Sequence, residues 1–139
     1  MSNNAVVVYD RGERAIATLW DDQQISIRST LPPEETLRIK EQAEPLEGNG
    51  DKPILIKGVV QHLVDMPDKD GVLQSVVRTI IVTPDGKGYA CMSNGVVDSL
   101  KDFKYIRGTK PPWDPPIKAQ LVIKKSRSGF RVFKLVPVK

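Results

Sequence analysis

The C-terminal third of the chain combines positive charge with flat aromatic side chains. From residue 100 onward it contains eleven Lys and Arg residues against two Asp, a balance of +9, whereas residues 1–99 have a balance of −5. Cations displace counterions from phosphates and aromatic rings stack on bases, so this mixture is typical of proteins that bind single-stranded nucleic acid. The predicted phosphate-binding residues are Lys87, Lys118, Lys124, Lys125, Arg127 and Arg131, and the predicted stacking residues are Tyr89, Tyr105, Trp113 and Phe130.

The aromatic residues also have a second interpretation, because each of them is equally suited to a hydrophobic core. Aromatic residues make up only 6% of the chain, which leaves few for a surface. Phe130 and Phe133 have opposite parity in one strand, so at most one of them points outward. We therefore expect two or three true stacking residues.

Other chemistries are poorly supported. A usual zinc site needs three or four Cys or His ligands, and the chain has one of each, Cys91 and His62. Cys91 lies in an apolar run and is predicted to be a buried thiol, while His62 is predicted to be a strand residue at a sheet margin. The chain lacks a Gly-rich phosphate loop and the common hydrolase motifs, and its basic third has only Asp102 and Asp114 for metals. We expect no enzyme activity, no cofactor and no metal.

A cluster of acids between residues 65 and 71 invites comparison with a calcium loop. An EF-hand loop needs further oxygen ligands and an acid at its twelfth position, which the residues after Gly71 do not supply. The sequence therefore favours a plain β-turn.

The elements that position the basic residues are predicted from periodicity. Residues 117–125 alternate as a strand, and residues 126–129 turn the chain into a second strand over 130–138. Four prolines between residues 111 and 116 hold Trp113 in an extended loop. The inward set of the first strand is Ile117, Ala119, Leu121 and Ile123, and the outward set is Lys118, Gln120 and Lys124.

Three strands and a helix precede this hairpin. Two β-branched runs, 54–64 and 72–82, predict a long hairpin, and residues 87–92 predict a short third strand after a turn at 83–86. Ser93 or Asn94 is predicted to cap a helix that continues to residue 103 and has Val96, Leu100 and Phe103 on one face.

The first fifty residues form a separate pattern. Residues 5–9, 14–20 and 24–29 predict short strands, although 14–20 also suits one turn of a buried helix, and Trp20 is either core or partner-facing. Pro32 and Pro33 predict the start of a helix that ends near Ala43. The six acids after residue 33 are Glu34, Glu35, Glu41, Glu44, Glu47 and Asp51. We favour a solvated helix face, and the alternative is an acidic arm that shields the basic groove when no ligand is bound.

The predicted fold is mainly β. Residues 52–139 have the element order of an OB-fold, a five-stranded barrel with a helix between strands three and four. Residues 1–51 are predicted to be an N-terminal extension of short strands and an acidic helix. In such barrels the face of strands two and three and two loops bind oligonucleotides, and residues 124–129 lie in one of these loops.

Three consecutive stretches of the chain also resemble a known family. The run TPDGKGYACMSNGVVDSLKDF (83–103), the proline-rich loop and the hairpin IKAQLVIKKSRSGFRVFKLV (117–136) are similar to small replication-associated single-stranded DNA-binding proteins of bacteriophages. The resemblance covers roughly residues 53–139 and implies an OB-type barrel, non-specific binding of single strands and a role in genome replication or recombination. Bacterial single-strand binding proteins end in a disordered acidic segment, whereas this chain ends in Val136-Pro137-Val138-Lys139, so recruitment through such a tail is not expected.

The expected partner is therefore single-stranded DNA, with RNA, replication proteins and self-association left open. The alternative function is a protein–protein module, a viral inhibitor or assembly factor that uses the basic face on an acidic partner. No apolar run approaches the ~20 residues of a membrane span. The lone Cys and the absence of a signal-peptide pattern predict a cytoplasmic location, which is the host cytoplasm if the protein is viral.

Overall fold

The computed structural model describes residues 27–125, 127, 129 and 131–138. The elements are β1 Ile27–Ser29, α1 Pro33–Gln42, β2 Glu44–Pro45, a 3₁₀ helix Leu46–Asn49, β3 Ile54–Ile56, β4 Gly58–Pro67, β5 Leu73–Val82, β6 Gly88–Cys91, α2 Asn94–Arg107, β7 Ile117–Lys125 and β8 Arg131–Pro137. The chain is mainly β, as predicted. The predicted strands at 5–9 and 14–20, Trp20, and residues 24–26 of the predicted strand 24–29 lie outside the described residues, and the remainder of that strand forms β1.

The strands described in the structure form two sheets. A five-stranded sheet has the order β1-β4-β5-β6-β2, and a three-stranded sheet has the order β3-β7-β8. Only Lys57 separates β3 from β4, so the chain passes from one sheet to the other at this residue. The Lys57 N–H donates to the Val82 carbonyl, and the Lys57 carbonyl accepts from Trp113 N–H at 2.8 Å. The single strand predicted over 54–64 is thus divided between two sheets.

From residue 54 the elements follow the predicted order, except that the first predicted strand is divided into β3 and β4, and the described strands do not close a barrel. The outer edge of β6 pairs in parallel with β2, with Glu44 opposite Tyr89. An N-terminal segment therefore occupies the edge that the last strand would need for closure. Strand β8 packs against α2 instead, where the Leu135 N–H donates to Ser99 Oγ at 3.0 Å.

Both helices begin where the sequence predicts. Helix α1 has Pro33 at its first position, where a missing N–H leaves no bond unmade. Helix α2 is capped by Ser93, whose Oγ accepts from the Val96 N–H at 3.3 Å. It runs four residues beyond the predicted end at 103 and stops at Gly108, which has a left-handed φ of 78°.

Among the described residues, two hydrophobic cores lie on opposite faces of the five-stranded sheet. The main core fills the space between the two sheets and α2, and the predicted face of Val96, Leu100 and Phe103 is buried in it. The second core lies under α1, where Ile39 packs on strands β4 and β5. Leu46, from the predicted extension, is fully buried in the main core.

Candidate nucleic-acid interface

The β7–β8 hairpin presents its basic residues as the alternation predicted. Lys118 and Lys124 are exposed as predicted, and Ala119 and Leu121 of the predicted inward set are buried. Ile117 is half-buried, and the inward prediction for Ile123 is wrong, since this side chain is 40% exposed. Antiparallel pairing of Val122 with Lys134 and of Lys124 with Val132 places these four side chains on the face turned away from the core. The exposed cations of the hairpin described in the structure are Lys118, Lys124, Lys125, Arg127, Arg131 and Lys134.

The charged residues of the three-stranded sheet are all of one sign. The residues of β3, β7 and β8 include five cations and no Asp or Glu. With no carboxylate in the sheet to balance them, these side chains generate a positive potential that attracts polyanions. The arrangement is suited to phosphate binding without reading base identity.

Arg131 has a carboxylate partner. Both of its terminal nitrogens donate to Glu47 in the 3₁₀ helix, with Nη2 3.1 Å from Oε1. The hydrogen bond and the charge of Glu47 raise the pKa of Arg131. The guanidinium also lies over the Phe133 ring, 5.2 Å from its centroid. Glu47 is one of the six acids that follow residue 33, and it contacts the basic hairpin. The alternative of an acidic arm that shields the basic groove requires such a contact.

A groove lies beside the turn that joins β5 to β6. It has a volume of about 380 Å³, and its lining includes Pro53, Leu55, Asp85, Lys87 and Tyr89. Tyr89 is half-buried and packs partly against the main core, while Lys87 is exposed. Lys87, predicted to bind phosphate, and Tyr89, predicted to stack on a base, thus line the same groove.

The structure overturns the stacking role predicted for Trp113. The side chain is 1% exposed and belongs to the main core. Its indole Nε1 donates to the Thr109 carbonyl at 2.9 Å, and its ring meets Phe103 edge-on with centroids 6.4 Å apart. The prolines around it do form an irregular loop, but this loop folds the ring inward because burial of a large apolar surface outweighs exposure.

The other predicted stacking residues differ in their surroundings. Tyr105 lies near the end of α2 and is 83% exposed. Phe130 lies outside the described residues. Phe133 packs partly against the main core, in agreement with the parity argument for the hairpin.

Sequence reasoning missed two contributors to this surface. Leu55 is exposed in β3 and pairs directly with Lys118, a relationship that depends on a strand pairing across more than sixty residues. Lys134 shares the outward face with Val132, and the alternation of the last strand was the available signal.

Cys91 and His62 occupy structural positions. Burial raises the pKa of the Cys91 thiol to about 11, so it is protonated at neutral pH. His62 is a strand residue, as predicted, but it does not lie at a sheet margin: it is buried, and β4 pairs with β1 on one side and with β5 on the other. Burial is the main cause that lowers the pKa of His62, followed by the charges of Arg78 and Lys40.

The acids near residue 68 form a turn. The Asp68 carboxylate accepts from the backbone N–H groups of Asp70 and Val72 at 2.8 and 2.9 Å, which closes the connection between β4 and β5. In the described part of the chain, no three Asp, Glu, His or Cys residues converge as metal ligands would. The helices described in the structure are too short or too polar to cross a bilayer.

Comparison with known proteins adds one match. A family model described as phage single-stranded DNA-binding protein matches residues 46–136 of this chain. Searches with this chain found no matching curated protein and no matching solved structure. The matched region begins at the buried Leu46. It includes the groove, strands β3 to β6, helix α2 and the basic hairpin, and helix α1 precedes it.

Proposed function

Because the chain belongs to the phage single-stranded DNA-binding protein family, we propose that it binds single-stranded DNA without sequence preference during viral DNA replication or recombination. The observation that carries the proposal is the three-stranded sheet with five cations and no carboxylate. Such a surface neutralises phosphates at any sequence and reads no base edges.

The proposed mechanism has an electrostatic part and a stacking part. Exposed cations of the hairpin displace counterions from the DNA backbone, and this release of ions supplies much of the affinity. Lys87 adds a cation at the groove, where the half-buried Tyr89 offers a ring for a base. The proposed phosphate contacts are Lys87, Lys118, Lys124, Lys125, Arg127 and Arg131, and the proposed stacking residues are Tyr89, Tyr105 and Phe130.

The fold proposal follows the same line. We infer an OB-like architecture in which β3 with β4 is the long first strand, β5 and β6 are the second and third, and β7 and β8 are the last two. The position of α2 between β6 and β7 and the passage of the first strand between two sheets support it. We place the protein in the cytoplasm of the host cell and propose replication proteins and a second copy of the chain as further partners.

A salt titration of oligonucleotide binding tests the function. Fluorescence anisotropy of labelled single strands of different sequence should give similar affinities, and log affinity should fall with log salt by about 0.7 for each phosphate contact. A matching duplex and an RNA strand define the ligand preference. Failure to bind any oligonucleotide would assign the basic face to an acidic protein instead.

A further inference from the structure

We infer that the single strand crosses the outer face of the three-stranded sheet, between Lys118, Lys124 and Lys134, and does not cross the outer face of the five-stranded sheet. This inference rests on the proposed function and specifies the path of its ligand. It assigns a DNA contact to Lys134, Leu55 and Val132, which the preceding proposal leaves without one.

The first step concerns the face of strands β5 and β6, which in OB-type proteins commonly receives the ligand. Here helix α1 covers the side of these strands that is turned away from the main core. Ile39 of α1 is buried against Val60, Ile80 and Val82. The approach is close, because a Cβ at Gly88 would lie 3.0 Å from Ile39 Cγ2. The chain's own helix therefore occupies that surface.

The hydrogen bonds of Arg78 support this cover. Arg78 in β5 lies on the same face, and its Nη1 donates to the Lys40 carbonyl of α1 at 3.0 Å. Opening the face would expose the second core and break this bond, both of which are unfavourable. A packed helix of this kind is part of the fold, so the DNA must use another surface.

The second step concerns the outer face of the three-stranded sheet. Leu55 pairs with Lys118, Val122 with Lys134, and Val132 with Lys124, so each lysine has a branched apolar neighbour on the next strand. Leu55 is 44% exposed and Val132 is 47% exposed. This alternation offers ammonium groups for phosphates and apolar surface for sugars and base faces along one track.

The third step is the length and continuity of this track. Residues on one face of a strand repeat every ~6.6 Å, so Lys118 and Lys124 are separated by about 20 Å along β7. At the Lys118 end, Leu55 also lines the groove that contains Lys87 and Tyr89. The groove and the sheet face are therefore continuous, and a strand seated on Tyr89 can run directly onto the lysines.

The test is protection of a single introduced thiol from maleimide. Labelling of the wild-type protein measures the contribution of the native Cys91, which is partly exposed and whose pKa burial raises to about 11, and this rate is subtracted. Val132→Cys places a thiol on the proposed track, and Leu37→Cys places one on the exposed side of α1, where Leu37 is 59% exposed. Val122→Cys replaces the first variant if Val132→Cys does not fold, as judged by thermal melting.

With the full chain and an oligothymidine at about ten times its Kd, labelling of Val132→Cys should slow about tenfold, because only about one tenth of the protein remains unbound. Labelling of Leu37→Cys should not change. Unchanged labelling at 132, or protection at 37, would overturn the inferred path. If the wild-type protein binds no oligonucleotide in the same titration, the proposed function itself fails.

A charge variant gives an independent reading. Lys118→Ala with Lys134→Ala should lower the salt slope by about 1.4, which is two contacts at about 0.7 each. Lys101→Ala on α2 is the control for a lost lysine and should leave the slope unchanged. An unchanged slope in the double variant, with the wild-type protein still binding, overturns the path and leaves the function standing.

Discussion

Arg131 and Glu47 are 84 residues apart in the chain and form an ion pair on the surface, with Nη2 and Oε1 3.1 Å apart. The pair joins the 3₁₀ helix after α1 to the start of β8. It therefore places a carboxylate on a cation that is proposed to bind phosphate. DNA that contacts Arg131 must displace Glu47 or share the guanidinium with it.

Glu47→Gln is expected to bind single-stranded DNA about two- to fivefold more tightly, because exposed ion pairs are weak but the displaced carboxylate also repels phosphate. The affinity is measured by anisotropy at low salt, where this charge is least screened. Glu34→Gln on the exposed face of α1 is the matched control for net charge. Equal gains in both variants would contradict a specific shielding role for Glu47.

The tip of the β7–β8 hairpin is expected to be dispensable for folding and important for binding. Replacing Lys124, Lys125 and Arg127 by Ala should leave the melting temperature nearly unchanged, because exposed cations contribute little to stability. The same variant should weaken binding and lower the salt slope by about 2, at about 0.7 for each contact. Removing Lys69, Lys101 and Lys110 together is the control, and an equal loss there would show a general charge effect.

Gly95→Ala is expected to destabilise the protein by about 1–3 kcal/mol, which is typical of overpacking. A Cβ at this position would overlap the carbonyl oxygen of Phe133, so α2 and β8 would have to separate. Urea denaturation measures the change. Gly48→Ala is the control, because a Cβ there meets nothing within 4 Å, and similar losses in both variants would contradict the close packing of α2 on β8.

The buried His62 predicts a pH dependence of stability. Arg78 Nη1 lies 3.1 Å from His62 Nε2, and burial and this charge lower the pKa of His62 below its usual value of 6.5. At a pH between the pKa of His62 in the folded protein and its pKa in the unfolded chain, the unfolded chain binds more protons than the folded one. The stability contribution is therefore complete above pH 6.5 and is lost as pH falls toward the folded pKa.

Urea midpoints measured from neutral pH down to about pH 5 follow this loss of stability. This pH interval lies above the usual range of carboxylate titration. His62→Gln keeps an acceptor for Arg78 and has no imidazole to titrate. Its midpoint should change less than that of the wild type over this interval. Parallel curves for the two proteins would show that another group is responsible.

The boundary between an N-terminal extension (1–51) and a barrel (52–139) stays a prediction. The packing of residues 44–46 indicates which result to expect when it is tested. Leu46 is fully buried in the main core, and Glu44 and Pro45 pair with β6. A fragment of residues 52–139 should therefore unfold at a lower urea concentration than a fragment of residues 27–139, since losing a buried leucine side chain typically removes about 2–5 kcal/mol. Equal midpoints would establish residues 52–139 as an independent unit.

Much of the local structure follows from the sequence alone. The alternation over 117–125 predicted which lysines are exposed, Ser93 predicted the start of α2, and Pro33 predicted the start of α1. These features depend on periodicity, capping and backbone restriction, all of which act over a few residues. The excess of cations after residue 100, and the family resemblance it accompanies, are likewise properties of the chain itself.

Only the tertiary structure decided how these elements meet. Trp113 is buried because Phe103 and the two sheets surround it, a result that local proline geometry does not specify. Leu55 lies beside Lys118, β2 occupies the edge of β6, and Glu47 reaches Arg131 through pairings between distant segments. Such contacts depend on the total apolar area that each arrangement buries and on the hydrogen bonds left to each strand edge. Those quantities belong to the assembled fold, and no window of sequence contains them.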